Sequence, residues 1–195
     1  MKPDLPCFIY LHGFNSSPQS HKTQQLGAWF RQRGWGEHYV CPALPTSGLQ
    51  AIARVEELMA SRPGRRFVFV GSSLGGFYAT WLGEKHAAQA VLINPGIKPW
   101  LDLRPYLGTQ QNIYTAERYE LTETHLQEWE QLWVPVITPS RYLLLVETGD
   151  ELLDYRVAVA RYAGARQLVI PGGDHTFQSF PEHIPAILEF AGIAA

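Results

Sequence analysis

Residues 68–79 read VFVGSSLGGFYA. A β-branched and aromatic run ends at Gly71, two serines follow, and Gly75-Gly76 come next. Glycine costs backbone entropy wherever it is used. Several at one junction mark a sharp turn or a close backbone approach. LGGFYATWLGEKH, residues 74–86, then reads as a helix. Strand, tight turn and helix are the context of the G-x-S-x-G pattern, in which Gly71 and Gly75 bracket Ser73. Such a turn lifts the Ser73 hydroxyl above a sheet. It also sets the Leu74 N–H at a helix N-terminus, where backbone dipoles favour an anion. Ser72 does not fit the spacing, because Val70 and Leu74 flank it. No Gly-Lys-Ser/Thr follows, as a phosphate loop needs, and the glycines miss the G-x-G-x-x-G spacing of a dinucleotide loop. On the pentapeptide alone, an ordinary glycine-rich turn remains the alternative.

Outward from this junction, six apolar runs read as strands: 7–11, 39–44, 66–70, 90–94, 142–147 and 167–171. Several are continuous rather than alternating, as in strands covered on both faces. Helical spacing lies between them. Leu26, Trp29 and Phe30 precede Gly34; Leu49, Ile52, Val55 and Met59 follow Ser47 and stop at Pro63-Gly64. Tyr155, Val159 and Tyr162 close at Gly164. Ile184, Ile187, Leu188 and Ala191 form a last helix, with Ser179 and Glu182 as its capping box. This alternation predicts an α/β fold, a mostly parallel sheet of about six strands with helices on both faces. Loops after the strand C-termini then share one edge. Residues 95–141 are too long for one crossover helix and read as a cap-like excursion of a single domain, 1–195. Within it, Thr124 and Gln127 are the expected capping box of a helix carrying Leu126, Trp129 and Trp133.

The 195 residues are 46% hydrophobic and 17% charged, with a net charge of −2, which reads as globular. So small a charge gives no general pull toward nucleic acid or anionic lipid. No run approaches the roughly 18 apolar residues that span a bilayer, and no signal-peptide pattern opens the chain. Cys7 and Cys41 are expected as reduced thiols. No metal-ligand spacing occurs, and no cofactor is implied. The expected location is cytoplasmic. Nothing in the sequence sets an oligomeric state.

A serine hydroxyl needs a base to take its proton. In this fold the order is Ser, then Asp or Glu, then His. VETGDELLDY places Asp150 just past a strand, and VIPGGDHTF places His175 just past the next. Asp154 suits a helix cap better. Asp174 adjoins His175 in the chain, where a side chain seldom points at the ring. The strand ending at His12-Gly13 offers a second oxyanion donor: Phe14 N–H would pair with Leu74 N–H. His12 itself reads as shaping that loop. Of three tryptophans in the excursion, Trp100 is favoured as substrate-binding.

YLHGFNSSPQS, VGSSLGGFYATWL, NPGIKPW, VETGDELLDY and GGDHTF, in this order, resemble the small bacterial YqiA/YcfP-type esterases of the α/β-hydrolase superfamily. The resemblance covers nearly the whole chain. It implies Ser73, Asp150 and His175 as a catalytic triad acting on a small-molecule acyl ester without a cofactor. An acyl-CoA or acyl-protein thioesterase is the alternative, with Lys98, Arg104 and Arg118 as cations that could meet CoA phosphates. A non-catalytic binding module on the same fold is a third reading, whose mark would be a missing triad member.

Overall fold

All six expected strands are present in a computed structural model, which describes residues 5–193. They are β1 (Cys7–Leu11), β2 (Tyr39–Val40), β3 (Phe67–Ser72), β4 (Gln89–Ile93), β7 (Tyr142–Glu147) and β8 (Arg166–Ile170). Every pairing in the sheet is parallel, in the order β2-β1-β3-β4-β7-β8. Strands β5 (Gly108–Gln111) and β6 (Arg118–Leu121) form a separate antiparallel hairpin in the excursion, which the sequence pattern did not reveal.

Side chains alternate across a strand, and here both faces are covered. Cys7, Ile9, Leu11, Phe69, Ala90, Leu92, Tyr142, Leu144 and Val146 face one core. Helices α2 (Gly48–Ala60), α3 (Leu74–Lys85) and α6 (Tyr155–Arg161) contribute to it. Phe8, Tyr10, Val68, Val70, Val91, Ile93, Leu143 and Leu145 face the other, against α1 (His21–Gln32) and α7 (Phe180–Phe190). Burial on both sides is why these runs lack a polar phase. Register pairs Leu11 with Gly71 and Ser72 with Ile93, so the loops after β1, β3 and β4 open on one edge. The fold is that of the α/β hydrolases.

Three expectations about local structure are corrected. The strand expected over 39–44 pairs only at Tyr39 and Val40. Pro42 has no N–H for a ladder, and the Leu44 amide leaves the sheet to donate to His12 Nε2 at 3.0 Å. In the excursion, α4 (Pro99–Asp102) is followed by α5 (Glu123–Gln131), which begins two residues earlier than expected. Thr122 and His125 make its capping box, the Thr122 N–H donating to His125 Nδ1 at 3.0 Å. Trp133 lies beyond its end. At α7, the Ser179–Glu182 capping box does not form. The Ser179 hydroxyl donates instead to the buried Glu147 carboxylate, at 2.5 Å. The helix runs through Pro185.

Both cysteines are free, and burial pushes their thiols up, Cys41 to about 12. No helix among the described residues is long and apolar enough to cross a membrane.

Candidate active site

The junction between β3 and α3 turns so tightly that side chains at its glycines have no room. A Cβ on Gly71 would sit 2.1 Å from the Gly75 carbonyl oxygen. One on Gly75 would sit 1.9 Å from the Leu11 carbonyl oxygen. Both obstacles are backbone, which cannot swing aside. Ser73 itself has φ 55° and ψ −123°, a conformation that costs a non-glycine residue about 1–3 kcal/mol. The turn is held by Ser73 N–H on the Ile93 carbonyl (3.0 Å), and by the Gly76 and Gly96 amides on the Ser73 carbonyl.

Ser73 Oγ stands 3.1 Å from His175 Nε2. The opposite ring nitrogen, Nδ1, is 2.9–3.0 Å from both Asp150 oxygens. A carboxylate can only accept, so Nδ1 carries the proton and Nε2 is left to accept from the serine. The Asp150 side chain is only 2% exposed. Burial alone would push its carboxyl up. The hydrogen bond from His175 and those from the Leu153 and Leu152 amides outweigh burial and hold it below its ordinary value. The acid beside the ring is therefore ionised. Asp154 caps α6 through the Arg156 amide. Asp174 is turned toward Thr176 and Gln178.

Two carboxylates and one amide that sequence reasoning missed fix the histidine loop. Glu147, at the end of β7 and 1% exposed, accepts the Asp174 N–H at 2.9 Å. Glu151 accepts the His175 N–H at 2.9 Å. Asn94, at the end of β4, donates to the Asp174 carbonyl at 3.0 Å and accepts the Glu147 N–H at 3.0 Å. Its backbone lies at φ 39°. The signal available in advance was position: both Asn94 and Glu147 are polar residues closing apolar strands.

The loop after β1 runs against Ser73: a Cβ on Gly13 would lie 3.1 Å from Ser73 Cβ. Neither the Phe14 nor the Leu74 amide donates to a protein acceptor in a loop or turn among the described residues. His12 braces this loop, bonding the Gly13 carbonyl through Nδ1 and the Leu44 amide through Nε2. Burial holds its pKa down, partly offset by the Gly13 carbonyl, so the ring is neutral. The hairpin is tied to the same loop: Tyr119 OH donates to Asn15 Oδ1 at 2.6 Å, and Asn112 Nδ2 to the Ser16 carbonyl at 2.8 Å.

A cleft of about 520 Å³ opens beside Ser73 and His175, bordered by Phe14, the start of α1 and the hairpin turn at Ile113 and Tyr114. Trp100 is not among its walls. It is 8% exposed and packs edge-on against Phe77 and Trp133 in the core beneath the excursion. Trp129, also buried, borders a smaller pocket of about 40 Å³ next to Phe14 and Leu74. Lys98, Arg104 and Arg118 border neither pocket. Arg104 pairs with Glu123, and Lys98 lies over the Trp133 ring. No group of three or more His, Cys, Asp or Glu side chains among the described residues is placed to hold a metal ion.

The fold recurs in solved structures of low sequence identity. Alpha/beta hydrolase domain-containing protein 10 from mouse superposes with a TM-score of 0.71 at 15% identity, over 94% of this chain and 88% of that one. Est1E from Butyrivibrio proteoclasticus, solved with ferulic acid bound, gives 0.70 at 13% identity, over 97% and 89%. The monoacylglycerol lipase of Paleococcus ferrophilus gives 0.65 at 14% identity, over 96% and 95%. These likenesses concern architecture. At the level of sequence, a family model spans residues 7–192, nearly the whole chain including every residue of the site, and the protein belongs to that family, Uncharacterised protein family (UPF0227).

Proposed function

We propose that the protein is a serine hydrolase that cleaves carboxylic esters through an acyl-enzyme. The observation that carries this reading is the hydrogen-bond chain from Ser73 Oγ through His175 to Asp150, set on a strained turn beside an open cleft. The solved neighbours include an esterase of Pyrococcus furiosus and a lipase, which is consistent with it.

In this reading His175 Nε2 takes the Ser73 proton as Oγ attacks the ester carbonyl. The Oγ–C bond forms and the carbonyl π pair moves onto oxygen. The Phe14 and Leu74 amides receive that oxyanion; such donors are worth about 3–4 kcal/mol each in the transition state. Asp150 holds the tautomer and stabilises the imidazolium. The imidazolium then protonates the departing alkoxide as the C–O bond breaks. Water, deprotonated by the same ring, releases the acid from Ser73.

The test is hydrolysis of 4-nitrophenyl esters from acetate to octanoate by the purified protein, with Ser73→Ala as the blank. Ester turnover that falls by about a millionfold in the blank is the expected result. Turnover unchanged by Ser73→Ala would remove the reading.

A further inference from the structure

The cleft carries one cation that the chemistry above does not use. Lys22, the second residue of α1, borders it, and no Asp or Glu lines it among the described residues. The Lys22 ammonium donates to the Thr176 carbonyl at 2.5 Å and takes part in none of the ion pairs among the described residues. An ammonium has three donors, so two are left without a protein acceptor among the described residues. The carboxylates whose charge reaches it are Asp174, Glu147 and Asp150. Each is engaged elsewhere: Asp174 by Thr176 and Gln178, Glu147 by the Asp174 amide and Ser179, Asp150 by His175. Burial holds the Lys22 pKa down to about 8, and those carboxylates offset it only in part. The Tyr10 hydroxyl borders the same cleft and is buried beside the Ser72 side chain, without closing a hydrogen bond of normal geometry to it. Burial pushes its pKa up, so it stays a neutral donor. A partly desolvated cation and a hydroxyl without a closed hydrogen bond at one cleft are complementary to an anion.

Position decides which part of the substrate carries that anion. Thr176 follows His175, so the ammonium lies at the histidine end of the cleft. The imidazolium must reach the leaving oxygen, which places the alcohol portion at that end. We propose that Lys22 recognises a carboxylate or phosphate on the alcohol portion of the ester, so that the preferred substrates are acyl esters of anionic alcohols. This rests on the Ser73 reading above and adds the substrate class to it.

The test compares kcat/KM for 3-butyryloxybenzoate with that for its neutral amide, 3-butyryloxybenzamide. A preference for the anion on the order of 10- to 100-fold is expected, the range of one charge-assisted hydrogen bond. Lys22→Met brings the ratio toward one, and Lys22→Arg largely restores it. A parallel arm with 3-butyryloxyphenyl phosphate separates phosphate from carboxylate as the better anion. A ratio near one in the wild type, a ratio indifferent to Lys22→Met, or equal losses on both esters would overturn the proposal. In the last case Lys22 only holds the Thr176 carbonyl. A Lys22-dependent preference confined to acyl-side anions, read with phenyl hydrogen glutarate against phenyl valerate, would overturn the alcohol-side placement. Calorimetric binding of 3-hydroxybenzoate to Ser73→Ala, with and without Lys22→Met, keeps the two readings apart. Lys22-dependent binding without any Ser73-dependent hydrolysis removes the Ser73 reading alone. Hydrolysis without Lys22 dependence removes this one alone.

Discussion

Ser73 sits in a left-handed conformation that a serine adopts only where its surroundings enforce it. The enforcing atoms are the Gly75 and Leu11 carbonyls, each close enough to forbid a Cβ at the facing glycine. Gly75→Ala therefore has no rearrangement available short of moving β1 or α3. It should lower the melting temperature markedly, by the equivalent of 1–3 kcal/mol or more, and abolish ester turnover; a thermal melt unchanged from wild type would refute this account of the turn. The acid is equally specific. Asp150→Asn keeps the shape but presents an amide N–H where an acceptor is needed. Its kcat should drop by about ten-thousandfold with the fold intact by circular dichroism. Asp174→Asn, which alters a side chain bonded to Thr176 and Gln178 and removes one charge near Lys22, should leave kcat within a few fold. Reversed outcomes would move the acid.

The elements of the sheet were legible because a strand covered on both faces shows as an unbroken apolar run, and because glycines punctuate the turns. Ser73, Asp150 and His175 were candidates for the same reason: each lies in a loop immediately past such a run. What stayed hidden depends on contacts between distant segments. Strand β2 is short because Pro42 intervenes and the Leu44 amide serves His12, 32 residues away. Ser179 gives its hydroxyl to Glu147 rather than to its own helix, and no local pattern encodes that choice. Trp100 follows a strand end, as a substrate contact would, yet packing against Phe77 and Trp133 draws it into the core. The hairpin of β5 and β6, rich in Gln, Thr and Glu, has too weak an apolar phase to announce itself. Asn94 shows what such long-range contacts do. It joins the end of β4 to β7 and to the histidine loop. Asn94→Ala leaves the Glu147 N–H buried and unpaired, a cost of about 1–3 kcal/mol. Denaturant melts should register that loss, and hydrogen exchange at Asp174 and His175 should accelerate. Their protection at wild-type levels would show that the loop is held by Glu147 and Glu151 without it.

For the whole molecule, acid stability follows from where carboxylates are held. Asp150 and Glu84 both lie below their ordinary values of 3.8 and 4.5. At Glu84, burial pushes upward, but hydrogen bonds from Tyr142 and Thr138 and the charge of Arg141 prevail. A carboxyl lowered in the fold means that the unfolded chain binds more protons, so stability rises with pH through this range. The contribution is complete above about pH 5 and is lost as pH falls through the lowered values. Denaturant melts between pH 5 and pH 3 should show that loss, and Asp150→Asn combined with Glu84→Gln should flatten it; a slope unchanged in the double variant would assign it to other groups. The two cores, the parallel sheet and the hairpin clasping the loop after β1 have one common effect at the molecular scale. They hold a serine, an imidazole and a carboxylate from three separate loops at 2.9–3.1 Å. That this arrangement activates Ser73 is most directly tested by reaction with a fluorophosphonate, followed by intact mass and peptide mapping. One adduct per chain, on Ser73, absent in His175→Ala, is the result expected. An adduct on Ser72, or none in a preparation that turns over esters, would contradict it.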